Sequence, residues 1–236
     1  MKSELPLLAW TPQAVVFDCD GLLVDTESSW TVAETELFAR RGIPYGPEEK
    51  ALLLGRSLRA GADAMAELFG EPGTGGAIAE ELLAAVTEVL SRVDAMPGAH
   101  ELVEEVARAV PIAVASNSPR ALLDVALLRG GFAGVFPMSV AADEVDRPKP
   151  APDMYRRACG LLGVAAENAL AFEDSMTGLR SARAAGLRLV GVPTLRYDEF
   201  PADLVVESLV DQDLVAWIRR WPRRGAAGPV ATPPRG

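Results

Sequence analysis

Residues 14–27 read AVVFDCDGLLVDTE. A β-branched, aromatic run ends in two aspartates, Asp18 and Asp20, one residue apart and followed at once by Gly21. The run has the composition of a short buried strand. Burying even a neutral polar group without a partner costs about 2–7 kcal/mol, and an unpaired carboxylate costs more. Two acids at the end of such a strand therefore call for a compensating group: another side chain, a metal ion or a substrate.

The rest of the chain narrows the choice. Its 236 residues suit one large domain, or a core domain with a smaller insertion. Hydrophobic residues make up 49%, enough for a sizeable core. A net charge of −10 argues against nucleic acid or an anionic membrane as partner, while leaving room for a locally positive site. The two cysteines, Cys19 and Cys159, form no paired motif, so two reduced thiols in a cytoplasmic protein are expected. No apolar run approaches the length of a membrane helix, and the N-terminal MKSELPLLAW reads as no targeting segment. Lysine occurs only at positions 2, 50 and 149 among 23 basic residues, which draws notice to each.

Strand signals recur at 13–18, 111–116, 134–139, 168–174 and 187–192, with helical patterns between them. Such alternation predicts an α/β fold with a mainly parallel, Rossmann-like sheet. The stretch 28–94 is rich in Ala, Leu and Glu at helical spacing and carries no strand signal. It reads as a small α-helical cap inserted into a core made of 13–27 and 95–221. The Pro/Gly-rich residues 222–236 read as a disordered tail.

In parallel α/β sheets, ligands bind beyond the carboxyl ends of the strands. Asp18 and Asp20 follow the first strand, Ser116 and Asn117 the second, Lys149 the third, and Glu173 and Asp174 close the fourth. Parallel strands bring these ends to one edge. Clustered carboxylates suit a hard, oxygen-seeking cation, and Mg²⁺ is expected, because it takes one or two carboxylates plus a substrate phosphate. The single histidine, His100, reads as a surface helix residue, so zinc is not expected. A metal-shielded carboxylate can attack phosphorus, a neighbouring aspartate can move the protons, and Lys149 with Ser116 can stabilise the phosphate oxygens.

Four segments, DCDGLLVDTE, ASNS (115–118), RPKPAPDMY (147–155) and FEDSMTGLRSARAAG (172–186), resemble in order and spacing the motifs of the haloacid dehalogenase superfamily, in particular the β-phosphoglucomutase-like phosphatases. The resemblance spans roughly residues 13–207. It implies that Asp18 is a nucleophile forming an aspartyl-phosphate and that Asp20 is the general acid/base. It further implies that Ser116, Asn117 and Lys149 hold the phosphate. Asp18, the Asp20 carbonyl and Asp174 would bind Mg²⁺, with Glu173 adjacent. The helical block is similar to the family's cap; Trp30, Arg56 and Arg59 within it, and Glu27 just before it, are candidate substrate contacts. Asp25 and Asp153 read as helix-start acids, Lys50 as a solvated helix residue, and Cys19 as core packing.

Departures from the family's subgroups select among activities. Asp20 is lacking in the dehalogenases. The phosphonate-cleaving members use a cap lysine, and the only lysine in this block is Lys50. The mutases carry a histidine where this chain has Trp30, and a further cap lysine. The expected activity is therefore a Mg²⁺-dependent phosphatase acting, as a monomer, on small phosphorylated sugars or polyols. A sugar-phosphate mutase is the alternative, and the intact acid and lysine set speaks against an inactive binding protein on this fold.

Overall fold

The computed structural model describes residues 6–90, 93–194, 197 and 199–224. Its core is a six-stranded parallel sheet in the order β3-β2-β1-β4-β5-β6. The strands are β1 Ala14–Phe17, β2 Ile112–Ala115, β3 Met138–Val140, β4 Ala169–Glu173, β5 Arg188–Gly191 and β6 Leu204–Val205. β1 is central because every residue in it is apolar and buried, so both faces can be covered. One face, with Val15, Phe17, Val114 and Phe172, packs into the larger core, where the Phe17 and Phe172 rings stack at 5.0 Å. The other face alternates to Val16, Ala113, Ala115 and Ala171. Its small side chains admit α7 (Asp153–Leu162) and α8 (Met176–Ala185) through Met154, Tyr155, Leu179 and Ala182.

Four helices lie between β1 and β2 and ahead of α5 (Ala99–Ala107): α1 Glu27–Arg40, α2 Pro47–Leu53, α3 Leu58–Phe69 and α4 Gly75–Val89. They form the small helical cap inserted into the sheet domain. The two connecting strands run side by side: Val24 bridges Ala95 in antiparallel sense, and the Asp25 and Met96 amides donate to the Asp94 and Leu23 carbonyls at 3.0 and 2.9 Å. Within the cap, the Arg41 guanidinium spans Glu71 and Glu81 and lies 4.4 Å over the Phe69 ring, joining the end of α1 to α3 and α4.

Two elements were missing from the sequence reading. β6 is only two residues long. α9 (Gln212–Arg219) closes the core with Leu214, Trp217 and Ile218, and the Trp217 indole donates to the Trp10 carbonyl at 3.0 Å. The third strand begins at Met138 rather than 134, because the turn around Gly134 (φ +71°) and the packing of Phe136 on the core precede it. The expected tail starts in contact with the core: Arg223 pairs with Glu105 at 2.7 Å, and the Arg224 amide donates to the Arg108 carbonyl. Residues 225–236 lie outside the described residues. Among the described residues, no helix is long and apolar enough to cross a membrane.

Candidate active site

The sheet order reverses its direction of growth at β1, with β2 on one side and β4 on the other. In open α/β sheets this switch point is where a crevice forms. The residues that leave these strands converge there. Asp18 follows β1, and its amide donates to the Phe172 carbonyl of β4 at 3.0 Å. Asp174 follows β4. Oxygens of Asp18, Glu173 and Asp174, all buried, lie within 4.8 Å of one another.

Lys149 enters this acidic cluster from the loop after β3. Its ammonium lies 2.7 Å from Asp18 Oδ1 and 2.7 Å from Glu173 Oε1. It also sits 5.1 Å above the Tyr155 ring. Burial works against the ammonium, yet Asp18 and Glu173 outweigh it and raise its pKa. For Asp18, burial and then the Glu173 charge push the carboxyl up to about 7, against the pull of Lys149. Three buried carboxylates thus face one buried ammonium. The surplus negative charge and the all-oxygen donor set fit a hard divalent cation bound beside Lys149.

Glu173 is the most enclosed of the three. Its Oε1 accepts from Lys149 and from the Tyr155 hydroxyl, and its Oε2 from Ser175 at 3.3 Å. The first turn of α8 lies against it. A Cβ on Gly178 would fall 1.9 Å from Glu173 Oε1, so only glycine fits there. Ser175 caps the same helix by accepting from the Gly178 amide at 3.1 Å. Asp174 in turn accepts from Thr194 at 3.0 Å.

Asp20 is held by three hydroxyls. Its Oδ1 accepts from Thr26 at 2.7 Å, and its Oδ2 from Ser116 at 2.5 Å and Ser118 at 3.0 Å. Ser116 is fully buried and also accepts from the Ser118 amide. Asn117 has a structural part: its amide donates to the carbonyls of Lys149 and Gly55, both at 3.1 Å, and its oxygen accepts from the Lys149 amide at 2.9 Å. Gly55 lies in the cap, so Asn117 fastens the lysine loop and the cap together. Gly55 has φ +70°, and a Cβ on it would come within 3.3 Å of Ser175 and Thr177. The cap loop is therefore seated directly on the strand-end residues.

Between cap and core lies a cleft of about 740 Å³, its opening to solvent included. The core contributes Asp18, Asp20, Asn117, Ser118, Lys149 and Asp174, and the cap wall carries Trp30, Glu34, Lys50, Leu58 and Leu82. Trp30 is half-buried, packed on the core and facing the cleft. Arg56 is exposed at the mouth and, among the described residues, pairs with no carboxylate. Glu27 opens α1, and its side chain lies outside the described residues.

Two cap expectations need correction. Lys50 is not a solvated helix residue: it lines the cleft, with its ammonium 2.6 Å from the Thr31 hydroxyl of α1. Arg59 does not reach the cleft: it pairs with Asp63 one turn on, and both are exposed. The sequence reading also missed Glu34, Ser118 and Ser175. Glu34 looks like any acid on a helix surface, yet it is buried, accepts from the Tyr45 hydroxyl and has its pKa raised by burial against the pull of Tyr45 and Lys50. The remaining readings agree with the geometry: Asp25 accepts from the Ser28 amide at the start of α1, Asp153 pairs with Arg147 at 2.9 Å, His100 is exposed, and Cys19 is buried in the core.

The chain is similar to known proteins over most of its length. It is 38% identical over 206 residues to protein CbbY of Rhodobacter capsulatus, covering 80% of this chain and 90% of the relative. It is 31% identical over 223 residues to validoxylamine A 7'-phosphate phosphatase of Streptomyces hygroscopicus subsp. limoneus, covering 90% and 98%. The crystal structure of CbbY from Rhodobacter sphaeroides in complex with phosphate superposes with a TM-score of 0.73 at 29% identity, covering 84% and 95%. Since the family model for haloacid dehalogenase-like hydrolases matches residues 12–186, which include every strand-end residue described above, the chain belongs to that family.

Proposed function

We propose that the protein is a Mg²⁺-dependent phosphatase that hydrolyses phosphoric monoesters of small hydroxylated metabolites through a phosphoryl group carried on Asp18. The observation that carries the reading is the buried Asp18–Lys149–Asp174 cluster at the floor of a cleft closed by the cap. Relatives named as phosphatases, such as the fructose-1-phosphate phosphatase YqaB of Escherichia coli at 32% identity, support the reaction class.

Asp18, Asp174 and the Asp20 carbonyl would hold the Mg²⁺, which when bound offsets the charge of the acids and of the substrate phosphate. The chain's own groups do the rest. A carboxylate oxygen of Asp18 attacks phosphorus; the bond from phosphorus to the ester oxygen breaks, and Asp20 gives its proton to the departing alcohol. A water then attacks the same phosphorus and yields its proton to Asp20, which frees Asp18 and releases inorganic phosphate. Ser116, 2.5 Å from Asp20, sets the acid beside the phosphate position. Lys149 stabilises the phosphate oxygens, while Glu173 keeps its ammonium oriented. Asn117 contributes by holding the Lys149 loop and the cap in register.

A sugar-phosphate mutase is the second reading, and Lys50 in the cleft wall is the observation that favours it, since a cap cation can anchor a second phosphate. Trp30 in place of the mutases' histidine favours the phosphatase. The test is phosphate release from a panel of about a hundred phosphorylated metabolites with Mg²⁺ and with excess EDTA. Incubation with β-glucose 1-phosphate and a trace of its 1,6-bisphosphate runs beside it. Metal-dependent phosphate release supports the phosphatase; rapid isomerisation with little phosphate release overturns it in favour of the mutase.

A further inference from the structure

The cap wall holds one acid that the proposed reaction does not use. Glu34 lies one helical turn beyond Trp30 on α1, so the two side chains share a face, and both line the cleft that Asp18 also lines. Glu34 is only 8% exposed, and the surface it keeps is turned to the cleft. An acid in such a place is costly unless it is used. Tyr45 donates to its Oε2 and fixes the carboxylate, and Tyr45 is itself braced 4.9 Å from the Phe38 ring. Among the described residues no group donates to Oε1, and it is not buried without a partner.

We infer that Glu34 is a specificity-determining residue that accepts hydrogen bonds from hydroxyl groups at the end of the substrate remote from the phosphate, with Trp30 beneath the carbon skeleton. The inference rests on the phosphatase reading and adds the residue that reads the substrate's distal hydroxyls, which selects monoesters whose distal part is neutral and polyhydroxylated. Three features carry it. An aromatic face next to a carboxylate acceptor matches a sugar or polyol, which offers C–H surface on one side and O–H donors at its edge. The carboxylate is held from behind by Tyr45, so a free oxygen is aimed without loss of rotamer freedom on binding. Lys50 lies close enough for its charge to act on Glu34, so the site already has a cation beside the acid. A neutral donor therefore suits the remaining oxygen better than a second ammonium would.

A hydroxyl-binding site of this kind rejects an analogue lacking the hydroxyl, because its buried acceptor is left unpaired. The experiment uses two esters that share a six-carbon chain and a terminal phosphate: sorbitol 6-phosphate, with hydroxyls, and n-hexyl phosphate, without them. kcat and KM are measured for the full-length Mg²⁺-loaded wild type, Glu34→Gln, Glu34→Ala and Tyr45→Phe, with melting curves to confirm folding. In the wild type kcat/KM is expected to favour sorbitol 6-phosphate. In Glu34→Ala this preference is expected to shrink by about tenfold or more, chiefly through KM. The isosteric Glu34→Gln keeps an acceptor oxygen and loses less, and Tyr45→Phe falls between it and the wild type. If the preference ratio stays the same in both Glu34 variants, or the wild type favours n-hexyl phosphate, the inference is wrong while the phosphatase reading stands. If the wild type releases phosphate from neither ester nor from the metabolite panel, the phosphatase reading itself fails and this inference falls with it.

Discussion

The Lys149 ammonium lies 2.7 Å from Asp18 Oδ1, and both groups are almost wholly buried. Neither is stable there alone. The pair joins β1 to the loop after β3 and is shared with Glu173 at the end of β4, so one cation ties three strand ends together.

Removing that cation should do two kinds of damage. Lys149→Ala leaves buried acids facing each other and is expected to destabilise the metal-free protein by about 3–5 kcal/mol. It also removes the donor proposed to stabilise the phosphate oxygens, with an expected loss of about 100-fold or more in kcat. Thermal melts in EDTA and steady-state kinetics with Mg²⁺ check the two effects separately. A stable variant with undiminished kcat would contradict the role given to Lys149.

The raised pKa of Asp18 has a stability consequence with a definite sign. Its folded value is about 7, against 3.8 as the ordinary value, so the folded state binds this proton more tightly than the unfolded state does. The stabilisation this gives is complete below pH ~4 and is lost as the pH rises through ~7. The metal-free wild type is therefore expected to melt at a lower temperature at pH 8 than at pH 5, relative to Asp18→Asn, which lacks the group. The proposed Mg²⁺, held by the ionised form, should stabilise the wild type more at pH 8 than at pH 5. Parallel pH profiles for wild type and variant would contradict this account.

Gly178 carries a packing prediction. A methyl group there meets the Glu173 carboxylate at 1.9 Å, so either the acid or the first turn of α8 must move. Gly178→Ala is expected to cost about 1–3 kcal/mol and to lower kcat through a displaced Lys149. A crystal structure of the variant would show Glu173 shifted away from Lys149. An unchanged melting temperature and unchanged kcat would mean that the contact yields without consequence.

Cation choice gives a further outcome. Mg²⁺ holds a compact octahedron, whereas Ca²⁺ accepts more oxygens at longer range and would recruit the second oxygen of Asp18, leaving none free to attack. Activity is expected to be greatest with Mg²⁺, suppressed by added Ca²⁺ and absent in EDTA. Phosphate release that persists in excess chelator would contradict it.

The strand ends were legible in the sequence, because each ends an apolar run and parallel connectivity forces the ends together. Asp18, Asp20, Ser116, Lys149 and Asp174 all follow from that logic. The cap side was not. Whether Lys50 faces solvent or cleft depends on how a seven-residue helix docks on its neighbours, and that is a property of packing rather than of the residues around it. Glu34 was hidden for a related reason: an acid among helical polar positions reads as solvated until Tyr45 and the cleft are seen beside it. α9 did leave a signal, with Leu214, Trp217, Ile218 and Trp221 at helical spacing, but a short segment after the last family motif carried no chemistry to draw the eye.

In the proposed reaction the phosphoryl group passes through Asp18. The most direct measurement is peptide mass mapping of enzyme quenched in acid during turnover with Mg²⁺, for wild type and Asp18→Asn. A phosphoryl group is expected on the wild-type peptide that contains Asp18 and none on that peptide in Asp18→Asn, with turnover in the variant reduced by about 1,000-fold or more. A phosphoryl group on a different residue, or an Asp18→Asn variant that releases phosphate at close to the wild-type rate, would contradict it.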